Sequence, residues 1–177
     1  DDLAVTHVEE ADSNFHARFS AYERSYVYLI KVGEIRSTFL RNYVYHVNKP
    51  IDLKLLSKEL KGIIGTHDFS AFRSSQCSAK DPVKTISKAS FEERDNLICI
   101  EFSANAFLHN MIRILIGTLV EISTNADSEY TIADIISSKN RALAGKTAPA
   151  NGLYFLGAKY KDIQNTNIPF KKFFDSL

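Results

Sequence analysis

One arginine lies inside a strongly apolar stretch of the chain. Arg113 interrupts the segment NAFLHNMIRILIGTLVEI, residues 105–122, whose apolar side chains fall all around a predicted helix. A buried guanidinium requires a carboxylate or phosphate partner, because it otherwise loses its hydration without compensation. One hypothesis therefore places Arg113 at a functional site that includes an acid or a phosphate. The alternative is that Arg113 marks the single solvated stripe of a structural helix.

A second candidate is a run of alternating side chains on a predicted strand. Arg24, Tyr26 and Tyr28 are two residues apart, so they lie on one face of the strand. An arginine followed by tyrosines suits phosphate contact and base stacking. The alternative is an ordinary aromatic pair within a sheet, and we assign that structural role to Tyr28.

Other reactive residue types lack a supporting pattern. Cys77 with His67 or His109 as its base would form a nucleophilic pair, but no spacing supports that hypothesis. The histidines show no metal-ligand spacing, the two cysteines Cys77 and Cys99 have none either, and the glycines are scattered rather than grouped in a phosphate-binding loop. We therefore expect neither a metal site nor a cofactor.

The composition is that of an ordinary globular protein. The chain has 177 residues, 45% hydrophobic and 24% charged, with seven glycines and four prolines, which excludes disorder, collagen-like repeats and a disulfide scaffold. This length suits one domain. No apolar run approaches the roughly 20 residues that cross a bilayer, so we exclude a membrane span. We expect a cytoplasmic protein, because the two cysteines suit a reducing compartment.

The distribution of charge and the first residue of the chain lead to two further expectations. The net charge of +1 gives no global sign of nucleic-acid binding. Residues 1–14 carry five acids and no Lys or Arg, whereas residues 15–41 carry five basic residues against two acids, and this second segment is the candidate anion-binding surface. The chain begins with Asp1 and its single methionine is Met111, so we expect it to be part of a longer protein.

The predicted elements alternate strands and helices. Strands are predicted over residues 3–8, 25–32, 85–91, 97–102 and 152–160, with a hairpin turn at residues 92–96. Helices are predicted after Asp52 and ended by Gly65, over residues 106–122 with Asn105 as the cap, and after Thr131. Residues 67–81 are predicted to be a loop and residues 139–150 a linker. This order predicts an α+β fold, a largely antiparallel sheet with helices packed on one face.

Four motifs together resemble a known family. They are FHARFSAYERSYVY at residues 15–28, HDFSAFRSSQC at residues 67–77, the apolar segment at residues 105–122, and GLYFLGAKY at residues 152–160. In this order and spacing they resemble the C-terminal half of bacterial tRNA pseudouridine synthase A. The resemblance covers nearly the whole chain.

The resemblance implies an RNA-modifying isomerase. That family converts uridine to pseudouridine at positions 38 to 40 of the tRNA anticodon arm, without cofactor or metal, as a homodimer with a cleft between two similar halves. Its catalytic aspartate lies in an Arg-Thr-Asp-Ala-Gly-Val-His stretch of the N-terminal half, which this sequence lacks. Residues 1–177 are thus expected to form a single C-terminal domain that supplies one wall of the active site and is inactive alone. A non-catalytic RNA-binding or dimerisation module is the alternative.

The resemblance also assigns roles to residues. Arg113 resembles the arginine that pairs with the catalytic aspartate; in this chain we expect it to be solvated, to bind an anion or to turn to another acid. Tyr26 resembles the tyrosine that packs on the target base, and Leu153 the apolar residue on the other face of the base. The segments that resemble tRNA-contacting regions comprise Phe15, His16, Ala17, Arg18, Phe19, Arg24, Arg73, Gln76, Cys77, Ser78, Ala79 and Lys80.

Arg18, Arg73 and Lys80 are the expected phosphate ligands among them. Glu23, Ser25 and Asp81 depart from the family pattern and weaken the local positive charge.

Overall fold

The computed structural model describes residue 5 and residues 7–125, 128–161, 163 and 170–175. Within these residues the chain forms six β-strands and four α-helices. The strands are β1 (Glu23–Val32), β2 (Tyr45–Val47), β3 (Gly65–Asp68), β4 (Val83–Arg94), β5 (Leu97–Ala104) and β6 (Leu153–Lys159). The helices are α1 (Leu53–Ile63), α2 (Met111–Thr124), α3 (Ile132–Ser138) and α4 (Phe170–Asp175).

The strands form one mixed sheet in the order β2, β1, β5, β4, β3, and β6 also pairs with β1. The pairing of β1 with β2 is parallel, and the other pairings are antiparallel. β6 pairs with the first part of β1, from Glu23 to Tyr28, and β2 pairs with its end, from Ile30 to Val32. The predicted α+β fold with a largely antiparallel sheet is therefore confirmed.

The two faces of the sheet differ in their cover. Buried residues of α1, α2 and α3 pack with Tyr28, Ile100 and Phe102 in the main core. On the opposite face a smaller cluster of Val27, Leu29, Val44, Cys99 and Leu156 packs against Phe170 and Phe173 of α4. Three helices thus cover one face, as predicted, and the short α4 lies against the other.

The predicted hairpin is confirmed with a shorter turn. β4 and β5 are joined through Asp95 and Asn96, both with positive φ (52° and 61°), as a two-residue turn of the mirror-image type requires. The strands extend to Arg94 and Leu97, so the predicted turn at residues 92–96 was too long.

The helix after Asp52 is confirmed, together with its cap. The Asp52 side chain accepts hydrogen bonds from the backbone N–H groups of Lys54 (2.8 Å) and Leu55 (3.0 Å). The helix ends at Ile63, and Gly65, with φ +119°, begins β3 instead of ending the helix. The predicted loop at residues 67–81 is also corrected, because its first two residues belong to β3 and a 3-10 turn follows at Ser70–Phe72.

Replacing Asp52 by alanine should destabilise the chain by about 1 kcal/mol, because two N–H groups of the first turn of α1 lose their acceptor. Urea unfolding followed by circular dichroism measures this difference. Asp52→Asn is the matched control, since it retains the oxygen acceptor and should remain within a few tenths of a kcal/mol of the original chain. Equal losses for both variants would contradict the capping role.

The largest correction concerns the helix predicted over residues 106–122. Helix α2 begins at Met111, after Asn110 in the left-handed conformation (φ 62°). Asn105 does not cap it: the Asn105 side chain accepts the backbone N–H of Thr85 at 3.0 Å and so ties β4 to the end of β5. The helix after Thr131 is confirmed as α3, with a capping box between Thr131 and Asp134.

Two predictions concern the chain ends and the membrane. Of the strand predicted at residues 3–8, residues 3, 4 and 6 lie outside the described residues, and residues 5, 7 and 8 belong to no strand. Among the helices that the structure describes, none combines the length and apolarity needed to cross a membrane.

Candidate functional site

A cleft of about 610 Å³ opens beside the N-terminus of α2. Its walls come from β1, from the start of β6, from the loop at residues 76–79 and from the segment that leads into α2. The cleft brings together Arg113, Tyr26 and Leu153, the three predicted active-site residues. The predicted RNA-contacting residues on the same cleft are Arg18, Gln76, Cys77, Ser78 and Ala79.

Arg113 is half-buried in the cleft and is held by neutral acceptors. Its Nε donates to the carbonyl oxygen of Ala148 at 2.7 Å, and its Nη1 donates to Oδ1 of Asn110 at 3.1 Å. It forms no ion pair with any residue in the described part of the chain. Within the described residues, Arg113 therefore does not turn toward another acid. Its positive charge is not neutralised there and lies at the cleft.

The carbonyl that accepts Arg113 belongs to a segment fastened to α2. Ala148 returns its own N–H to the carbonyl of Arg113 at 2.9 Å, and the N–H of Gly145 donates to Oγ1 of Thr118 at 2.9 Å. Gly117 allows this approach, because a Cβ atom at that position would lie 1.7 Å from the carbonyl oxygen of Lys146. The segment at residues 145–148 and the helix therefore position Arg113 together.

Tyr26 forms an aromatic wall of the cleft. Its ring meets Phe107 edge-on, with centroids 5.4 Å apart, and Phe155 at 5.2 Å. Burial raises the pKa of Tyr26, with the positive charge of Arg24 acting in the opposite direction, so the phenol is protonated at neutral pH. Tyr26 thus offers the cleft a flat apolar ring with a neutral hydroxyl.

Tyr28 has the structural role assigned from the sequence. It is fully buried, and its hydroxyl donates to the carbonyl of Pro149 at 2.6 Å. Leu153, which pairs with Tyr28 across β1 and β6, is half-buried and lines the cleft. The face of β1 shared by Tyr26 and Tyr28 therefore contributes one residue to the cleft and one to the core.

The Arg24 guanidinium forms hydrogen bonds within the protein. It donates to the carbonyl oxygens of Ala21 (2.6 Å), Asn105 (2.5 Å) and Arg18. These contacts fasten the turn that precedes β1 to the end of β5. Arg24 is thus placed to hold the predicted RNA-contacting segment in position as well as to add positive charge there.

The segment of Phe15, His16, Ala17, Arg18 and Phe19 is a compact exposed turn. His16 Nδ1 accepts the N–H groups of Arg18 (3.1 Å) and Phe19 (3.3 Å), while the ring of Phe15 packs on Tyr160. The Arg18 guanidinium lies over the ring of Phe19, 5.6 Å from its centroid. Phe19 is 73% exposed, so this turn presents a cation and an aromatic face to solvent beside the cleft.

The loop at residues 76–80 depends on Arg73. The guanidinium of Arg73 donates to the carbonyls of Cys77 (2.7 Å) and Ala79 (2.6 Å). Gln76, Ser78 and Lys80 are exposed. Arg73 therefore shapes the loop from within, and Lys80 is the cation that the loop exposes.

Cys77 is buried in the cleft wall. Burial acts to raise the pKa of its thiol, but hydrogen bonds from the backbone N–H groups of His109 and Ala79, together with the charge of Arg73, outweigh that effect and lower the pKa. His109 contributes its backbone N–H, 3.4 Å from Sγ, and His67 Nε2 lies 3.1 Å from the carbonyl of Ile64. Nothing in the described residues joins either imidazole to the thiol, so the nucleophilic pair gains no support.

The two thiols should react differently with iodoacetamide. The lowered pKa of Cys77 populates its thiolate at lower pH than an ordinary cysteine, whereas burial and two nearby carboxylates raise the pKa of Cys99 to about 12. Mass spectrometry across a pH series should show Cys77 labelled with a midpoint below that of free cysteine, and Cys99 unlabelled in the folded chain. Cys77→Ala is the control, and comparable labelling of both thiols would contradict the prediction.

Two lining residues that the sequence did not predict contact the predicted active-site residues. Phe107 supports the Tyr26 ring and Asn110 accepts from Arg113. The sequence signal for the contact of Asn110 with Arg113 is their spacing of three residues, because residues three apart share a face of a predicted helix. Among the described residues no group of three or more His, Cys, Asp or Glu side chains is arranged to hold a metal ion.

The known proteins that are similar to this chain share one description. Residues 60–161 match a protein family described as tRNA pseudouridine synthase. The chain is similar to tRNA pseudouridine synthase A of Geobacillus sp. (strain WCH70), with 42% identity over 90% of this chain and 64% of the relative. It is also similar to the proteins of that name from Acetivibrio thermocellus (41%, over 90% of this chain and 66% of the relative) and Ehrlichia canis (43%, 89% and 64%).

The chain therefore spans just under two thirds of the length of these relatives. A match over more than half of the chain and these identities show that this chain belongs to the tRNA pseudouridine synthase family.

Proposed function

We propose that the protein containing this chain isomerises uridine to pseudouridine in the anticodon stem-loop of tRNA, at positions 38 to 40. This chain supplies one wall of the active site and part of the tRNA-binding surface. Membership of the family supports the reaction. The observation that carries the assignment of the site is Arg113, a half-buried cation with neutral partners that lies beside Tyr26 and Leu153.

The proposed partner of Arg113 is a carboxylate from a segment outside these 177 residues. The sequence contains no Arg-Thr-Asp-Ala-Gly-Val-His stretch, which carries the aspartate in the family that it resembles. A planar guanidinium binds a carboxylate through two parallel hydrogen bonds and keeps it ionised. Arg113 would thus hold the catalytic aspartate charged and oriented toward the ribose and base of the target uridine.

Tyr26 and Leu153 are the proposed binding surfaces for the target base. Isomerisation breaks the C1′–N1 and C5–H bonds and forms the C1′–C5 and N1–H bonds. The enzyme must reach these atoms, so the base must leave the stack. Extrusion costs a few kcal/mol, which an aromatic ring and an apolar side chain partly restore. Phe107 and Phe155 hold the Tyr26 ring in the orientation that this contact needs.

The proposed tRNA surface follows the rim of the cleft. Arg18, on the turn of residues 15–19, and Lys80, on the loop of residues 76–80, are exposed cations that suit phosphate contacts. Arg24 and Arg73 add charge while they hold these two segments. We further propose that the full-length protein is a homodimer in the cytoplasm, as the resemblance implies.

Tritium release from tRNA labelled at uridine C5 tests this function. We expect no release by this chain alone, and release when the aspartate-bearing half is added or when the full-length protein is used. Release by this chain alone would refute the assignment of the missing aspartate. Binding of tRNA without release by the full-length protein would refute the enzyme and favour a non-catalytic RNA-binding module.

Protection of Cys77 supplies an independent test of the location of the site. Cys77 lines the cleft, so an anticodon stem-loop RNA bound there should slow its alkylation. A DNA duplex of the same length, added at the same salt concentration, should not. Equal alkylation rates with and without bound RNA would contradict the proposed location.

A further inference from the structure

Asn110 precedes helix α2 at the position where an asparagine side chain ordinarily accepts a backbone N–H of the first turn. Here it makes no such hydrogen bond, and its backbone is left-handed, with φ 62° and ψ 7°. The side chain instead reaches Nη1 of Arg113, three residues further along the chain, at 3.1 Å. The helix start therefore gives up a capping interaction in favour of a contact with Arg113.

The two acceptors of Arg113 fix the plane of its guanidinium from different directions. The Ala148 carbonyl, on the segment fastened to α2, accepts a hydrogen bond from Nε. The Asn110 side chain, at the start of the same helix, accepts one from Nη1. Two hydrogen bonds on different nitrogens restrain rotation of the planar group about its bond to Nε. The remaining donors have no hydrogen-bond partner among the described residues, so they can meet a ligand in the cleft.

The chemical type of the second acceptor matters as much as its position. Aspartate has the same shape as asparagine and is the usual partner of a half-buried guanidinium. It would neutralise Arg113 from within the chain. An amide accepts the hydrogen bond and leaves the charge available to attract a carboxylate.

We propose that Asn110 is a positioning residue that orients the Arg113 guanidinium through Nη1 while leaving its positive charge unneutralised. This inference deepens the proposed function and rests on it for the identity of the incoming carboxylate. The orientation itself rests on the contacts of Asn110 and Ala148 alone.

Two substitutions separate this role from a structural one. Asn110→Gly keeps the left-handed backbone, which glycine adopts without steric strain, and removes the side chain that carries the acceptor. Asn110→Asp keeps the shape, the acceptor and the tolerance of that backbone, but adds a negative charge next to Arg113. A purely structural role predicts that the variants lose stability but that the molecules that fold keep the original kcat.

Kinetics of the full-length protein on anticodon stem-loop RNA give the first readout. We expect Asn110→Gly to lower kcat about 10-fold with KM within about twofold, because a misplaced group slows the chemical step. We expect Asn110→Asp to lower kcat about 100-fold with an unchanged thermal midpoint, because the introduced carboxylate competes with the catalytic one for Arg113. An original kcat in either folded variant would overturn the proposal.

Arginine side-chain ¹⁵N spectra of the 177-residue chain give a readout that does not depend on activity. The Nη signals of Arg113 should be separate in the original chain, since rotation of the guanidinium is restrained, and should coalesce in Asn110→Gly. Unchanged Arg113 signals in that variant would overturn the proposal. If the original full-length protein releases no tritium, the proposed function fails, and the spectra still decide the role of Asn110.

Discussion

Replacement of Arg113 by methionine should severely slow uridine isomerisation by the full-length protein while this domain stays folded. Methionine preserves much of the length and apolar stem of the side chain but offers no donor to the incoming carboxylate. Loss of a preorganised electrostatic contact of this kind costs about 100-fold to 1,000-fold in kcat. Single-turnover tritium release, which reports the chemical step, is the measurement that checks this loss.

Folding should be affected far less than activity. Arg113 has two hydrogen bonds to neutral acceptors and no ion pair within the described residues, so its removal should cost this chain less than about 2 kcal/mol. Arg113→Lys is the matched control: it keeps the charge but loses the planar, two-pronged geometry and should retain partial activity. Full activity of Arg113→Met would refute the central role of this residue.

Gly117→Ala should be strongly destabilising. The new methyl group would lie 1.7 Å from the carbonyl oxygen of Lys146 and 2.9 Å from its carbonyl carbon. Backbone atoms cannot rotate out of the way, so the segment at residues 145–148 must move away from α2. We expect a loss of about 3 kcal/mol in the free energy of unfolding, at the upper end for overpacking, together with loss of activity as Ala148 leaves Arg113.

Gly62→Ala is the matched control for that experiment. Gly62 also lies in a helix, α1, but a methyl group there would meet only the side-chain Cγ2 of Ile132 at 3.1 Å. Alanine favours the helix by roughly 1 kcal/mol over glycine, so this variant should be close to neutral. Urea unfolding of both variants tests the contrast, and similar stabilities would show that the close contact of Gly117 is unimportant.

The sequence was most informative where structure depends on neighbours along the chain. Alternation predicted the shared face of Tyr26 and Tyr28, and a cap followed by apolar spacing predicted the helix after Asp52. Both signals are local, because strands repeat every two residues and helices every three to four. For the same reason the hairpin of β4 and β5 could be predicted.

The largest error arose where a side chain bonds to a distant part of the chain. The apolar run that follows Asn105 led to the prediction that Asn105 caps the helix. The structure assigns Asn105 to Thr85, twenty residues away, and starts α2 after Asn110. Tertiary packing also brings Arg24 to its carbonyl partners and brings the Ala148 carbonyl to Arg113. No local sequence pattern encodes these contacts.

The mutual hydrogen bonds of Ala148 and Arg113 bear on where the chain tolerates added sequence. Residues 139–150 have the small, polar and basic composition of a connecting loop, which usually accepts insertions and affinity tags. Here the final part of that connection is anchored to α2 through Gly145 and Ala148, so even one extra residue would shift the Ala148 carbonyl out of register. A side-chain label belongs instead in the exposed turn at Asp95 and Asn96, at the far end of a hairpin that contributes nothing to the cleft lining.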